Sequence, residues 1–70
     1  MTHTYIVRSS MPEAVMQSFF SQYKVEIGNG IQERYYIVHE IPAHTFHEIR
    51  KQVMIQDPQS FCARILTEAL

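Results

Sequence analysis

DPQSFCARILTEAL closes the chain at residues 57–70, and its reading decides the fold. Asp57 offers a carboxylate to a helix start, and Pro58 suits a first helical position, where its missing N–H would have no partner. Phe61, Cys62, Ile65, Leu66, Ala69 and Leu70 then supply apolar positions almost all round a helix. The stretch is therefore read as a C-terminal helix. Working back, MIQDP at 54–58 is a short connection to a preceding helix that carries Phe46, Ile49, Val53 and Met54. Thr45 and Glu48 have the spacing of a capping box for that helix, and Pro42 ends the strand before it.

Toward the N-terminus, TYIVR at 4–8 is short, β-branched and aromatic, the composition of a strand. Ser10 and Glu13 form another capping-box pair, with Pro12 acceptable in the first turn. Val15, Met16, Phe19, Phe20 and Tyr23 follow at helical spacings and make one apolar stripe, which needs a sheet to cover it. Lys24 to Ile27 and Ile31 to Ile41 are extended runs joined by GNG at 28–30, whose residues accept positive φ, so they read as a β-hairpin. Strict alternation puts Ile31, Tyr35, Ile37, His39 and Ile41 on one face of the second run and Tyr36, Val38 and Glu40 on the other.

The expected fold is thus α+β, one domain over residues 1–70, in the order β-α-β-β-α-α. A three-stranded sheet carries its helices on one face, and a right-handed crossover joins the first two strands if they lie parallel. Its edges are open to a partner strand.

Seventy residues bury only a thin core, although 46% apolar and 19% charged residues are ordinary for a folded chain. The lone Cys62 allows no internal disulfide, so a second copy of the chain is the expected support, and a homodimer the expected state. No apolar run approaches the roughly 20 residues of a bilayer span, and MTHTYIVRSS at 1–10 lacks the pattern of a signal peptide. A cytoplasmic location without membrane contact is expected. The formal charge is −1, with cations scattered at Arg8, Lys24, Arg34, Arg50, Lys51 and Arg64, which is unsuited to a phosphate backbone.

HEIPAHTFHEI at 39–49 holds three of the four histidines. If the helix starts at Pro42 or Ala43, His44, His47 and Glu48 share its polar side, and they could hold zinc, nickel or copper with His39 as a fourth ligand. If Thr45 is the cap, His44 lies before the helix and Glu48 is engaged with the backbone. The spacing H-x-x-H has no geometric check of its own, so solvated polar residues at a helix start are preferred and no cofactor is expected. His3, with the terminal amine and two amides, has the donor set of a square-planar copper or nickel site, but only while Met1 remains.

Catalytic apparatus is not legible. Cys62 sits between Phe61 and Ala63 as a packing residue, and no phosphate-cradling or nucleophile-elbow motif occurs. GNG lies between extended runs and does not precede a helix. A DNA-binding dimer would use the last two helices, with Arg50, Lys51 and Arg64 beside Gln52, Gln56 and Gln59, yet the proposed recognition helix has one cation. What remains is a non-enzymatic binding or regulatory protein that modulates a larger protein, in the manner of bacterial and phage accessory or inhibitor proteins. Its expected partner-binding residues are Tyr35, Tyr36 and Met54, drawn from adjacent apolar pairs of which a thin core covers only one member.

Overall fold

The computed structural model describes residues 1–66. Its elements are β1 (Thr2–Ser9), α1 (Glu13–Phe19), β2 (Lys24–Asn29), β3 (Arg34–Pro42), α2 (Ala43–Gln56) and β4 (Phe61–Ile65). The fold is α+β, as composition and pattern lead one to expect, but the described sheet has four strands, in the order β2-β3-β1-β4. Every neighbouring pair is antiparallel. β1 and β2 are parallel to each other with β3 between them, so the crossover through α1 joins strands that are not neighbours. β3 and β4 likewise flank β1 and are joined through α2. Two interleaved split β-α-β units result, the ferredoxin-like connectivity.

The expected C-terminal helix is corrected by the course of residues 57–65. Asp57 closes α2, its N–H donating to the Val53 carbonyl at 2.7 Å. Its own carbonyl accepts from the Ser60 N–H at 3.0 Å, which makes Asp57–Pro58–Gln59–Ser60 a turn. Asp at the first position and Pro at the second are as typical of a turn as of a helix start. FCARI then runs with period two along the free edge of β1, pairing Thr4 with Ile65 and Arg8 with Phe61. Main-chain groups at that edge outweigh the weak helical preference of five residues. Ala69 and Leu70 lie outside the described residues.

Neither capping box forms. The N-caps of α1 and α2 are Pro12 and Pro42, without a side-chain hydrogen bond to either. Pro42, at φ −60° and ψ 140°, ends the ladder opposite Thr2 and delivers the chain straight into Ala43, so Thr45 falls inside the first turn, where its hydroxyl has no cap to make. In the hairpin no glycine has positive φ. Gly30 is needed for close approach: a Cβ there would lie 2.9 Å from the Glu33 carbonyl oxygen. β3 begins at Arg34, leaving Ile31 fully exposed in the loop.

The core lies between the sheet and the helices. Tyr5 and Val7 of β1, Tyr36, Val38 and Ile41 of β3, Met16 and Phe20 from α1 and its end, and Phe46 and Val53 of α2 are all buried there. Val15, Phe19 and Tyr23 pack against that cluster, so the whole stripe read on the first helix serves the core. Ile41 reaches it by a bulge. His3 pairs with Ile41 but Tyr5 with Val38, so Thr4 stands opposite two residues, His39 and Glu40. Glu40 takes up the irregularity at φ 52°, and Ile41 turns inward beside Tyr36 and Val38 while Glu40 stays exposed. The strict alternation expected for this strand is corrected at that point.

Candidate interaction surface

Both helices lie on one side of the sheet, and the register fixes what the other side presents. Residues paired across an antiparallel ladder share a face. β1 therefore contributes Thr4, Ile6 and Arg8, β3 contributes Tyr35, Ile37 and His39, β2 contributes Lys24, Glu26 and Gly28, and β4 contributes Phe61, Ala63 and Ile65. Across the strands, Ile37, Ile6 and Ala63 form a central apolar row. Beside it runs a row of Gly28, Tyr35, Arg8 and Phe61. Tyr35 is 38% exposed and Phe61 48%. Gly28 leaves one side of this row bare, since a Cβ there would meet nothing within 4 Å.

Most of the charged groups around this face are engaged with one another. The Arg8 guanidinium carbon lies 5.2 Å from the centre of the Phe61 ring, a cation–π distance. Its Nε is 3.3 Å from Glu33 Oε1, within ion-pair range but without hydrogen-bond alignment. His39 Nε2 meets Glu26 Oε2 at 2.5 Å across the β2–β3 ladder. With Lys24 the surroundings hold two permanent cations, Arg8 and Lys24, and two carboxylates, Glu26 and Glu33. An apolar centre with a balanced and largely paired polar rim is the composition of a protein interface. A groove for a phosphate backbone would need an excess of cations.

The comparisons add no relative. Neither a family model, nor a curated protein, nor a solved structure matches this chain.

The residues singled out by sequence fall in three different places. Tyr35 is on the open face. Tyr36 is fully buried beneath the helices, which corrects its reading as a surface anchor. Met54, 39% exposed, lies on α2 across the sheet from Tyr35. The histidine cluster is not assembled. His39 is paired with Glu26 on the open face, His44 and His47 are exposed on α2, and Glu48 accepts from Lys51 Nζ at 3.3 Å. Among the described residues no three His, Cys, Asp or Glu side chains stand where they could share a metal ion. The expected recognition helix is a strand, so Arg64 lies on β4 while Arg50 and Lys51 lie on α2.

Cys62 faces the helices opposite Val7 and packs against the core. Burial raises its pKa, and the nearby Arg50 guanidinium acts in the opposite direction without cancelling that effect. A thiol held protonated in this way is a packing group. Ile6, Arg8, Phe61 and Ile65 were not singled out as surface residues, although TYIVR and FCARI both alternate in a way that marks two faces.

Proposed function

We propose that this chain is a small non-enzymatic regulatory module that binds protein through the open face of its sheet. The reading rests on one observation: among the described residues no element packs over the Ile37–Ile6–Ala63 row and the adjoining Tyr35 and Phe61 rings, while Arg8, His39, Glu26 and Glu33 around them already have partners. Covering such a face removes apolar area from water while its paired charges keep their partners, and rigid aromatic side chains are frequent anchors of protein interfaces.

A second copy of the chain is the occupant that the domain's size favours, because a domain of 70 residues gains core by sharing a sheet face. A face whose cations and carboxylates balance is also compatible with itself under a two-fold axis. Metal binding and DNA binding have weaker support, since their residues are dispersed.

Sedimentation velocity over a range of concentrations tests the reading, with Phe61→Glu and Tyr35→Ala as variants. Both side chains are already partly in solvent, so the fold should tolerate the changes. Association that weakens at least about tenfold in Phe61→Glu is expected for an anchor of this kind. A wild-type complex equally strong in both variants would move the interface elsewhere.

A further inference from the structure

On the helix-covered side of the sheet a cleft of about 340 Å³ opens between α2 and β4. Its floor is the stacked pair Tyr5 and Phe46, whose ring centres are 3.8 Å apart and whose planes differ by 5°. His47 and Arg50 reach it from α2, three residues apart and hence on one side of the helix. His3 reaches it from β1. Arg64 reaches it from β4, where pairing with Tyr5 sets it beside the floor.

The charge of this cleft is at odds with that of the chain. The whole sequence has a formal charge of −1, yet two arginines and two histidines line the cleft and no carboxylate does so among the described residues. The ion pairs among the described residues use Arg8, Arg34, His39 and Lys51 outside the cleft, and none of them engages Arg50 or Arg64. Two guanidinium groups beside a low-dielectric floor give planar donors that match an oxyanion, and the volume is within the range of small-ligand sites.

We propose that this cleft binds a small organic oxyanion, a carboxylate or phosphate ester with a flat apolar body. Arg50 and Arg64 hold the oxyanion, and the aliphatic and aromatic floor receives the body. The site lies on the opposite side of the sheet from the protein-docking face and stands independently of it. In β4, Cys62 and Arg64 alternate toward the cleft while Phe61 and Ile65 alternate toward the open face, with Ala63 between them bordering both.

The test is calorimetric titration of the full chain with phenyl phosphate, benzoate and inorganic phosphate, repeated on Arg50→Gln/Arg64→Gln. Saturable binding at one site is expected for the two aromatic probes, weakened at least about tenfold in the double variant, the scale of losing charge-assisted hydrogen bonds. No saturable binding up to about 10 mM, a range that covers affinities weaker than millimolar, would overturn the proposal. So would unchanged affinity in the double variant, or inorganic phosphate binding as tightly as phenyl phosphate. Both arginines are exposed, and circular dichroism checks the fold. Should the double variant fail to fold, Arg64→Gln alone decides, read from amide shifts of Tyr5 and Cys62 on addition of phenyl phosphate: shifts as large and as tightly saturating as in wild type overturn the proposal, and their loss supports it.

Discussion

Ser9 Oγ donates to Asp57 Oδ2 at 2.7 Å and joins the end of β1 to the end of α2 across 48 positions of sequence. The same hydroxyl accepts from the Met11 N–H at 3.1 Å, and the two Asp57 oxygens also accept from the Ser10 and Gln59 N–H groups. Ser9 is fully buried. Replacing Asp57 by Ala leaves that hydroxyl without its acceptor and loosens the turn that launches β4. A loss of about 1–3 kcal/mol is predicted, read from urea unfolding with an unchanged slope, and Asp57→Asn should lose less.

This contact also explains what could not be read from sequence. Asp57–Pro58 is a legitimate start signal for a helix and for a turn, and local chemistry does not choose between them. The choice is made by Ser9 and by the unpaired edge of β1, both about fifty residues away. The first helix and the hairpin were legible because a helical stripe and two adjacent extended runs are local, although the turn falls at residues 30–33 and GNG does not make it through positive φ. The open face was half legible: Tyr35 belongs to it, but Phe61 and Ile65 required the fourth strand. Ile41 was misplaced because a bulge shifts one residue without changing composition.

Glu40 holds φ 52°, a conformation that costs an ordinary L-residue about 1–2 kcal/mol. Glu40→Gly relieves this, partly offset by backbone entropy, and a net gain of up to about 1 kcal/mol is expected. Deleting Glu40 removes the extra residue of the bulge and sets Ile41 directly after His39, which keeps it on the core face with Tyr36 and Val38, so a loss no larger than about 1 kcal/mol is expected. Thermal and urea unfolding of the two variants checks both, and a loss of about 2–5 kcal/mol on deletion, the scale of expelling a buried Ile, would contradict this reading of the bulge.

Tyr36 and Cys62 set the alkaline limit of stability. Burial raises the pKa of both, against the smaller opposing influence of Arg34 on Tyr36 and Arg50 on Cys62. The Tyr36 hydroxyl is close enough to feel the Arg34 charge, yet it has no partner in hydrogen-bond geometry. In each case the unfolded chain releases its proton first. Stability is therefore full below the ordinary thiol range and falls as pH rises through it and then through the ordinary tyrosine range, toward the raised folded values. Tyr36→Phe should be neutral or slightly stabilising at pH 7 and should flatten the upper part of the decline. A variant as alkali-sensitive as wild type would contradict this.

The open sheet face, and not the outer surface of α2, is the proposed docking surface for protein. Tyr35 and Met54 make a matched pair of probes, 38% and 39% exposed on opposite sides of the molecule. Hydroxyl-radical labelling read by mass spectrometry compares the dilute purified chain with the same chain at high concentration and in its native lysate. Labelling of Tyr35 and Phe61 is expected to fall on association while that of Met54 is unchanged. Protection of Met54 with Tyr35 and Phe61 still fully labelled would contradict it.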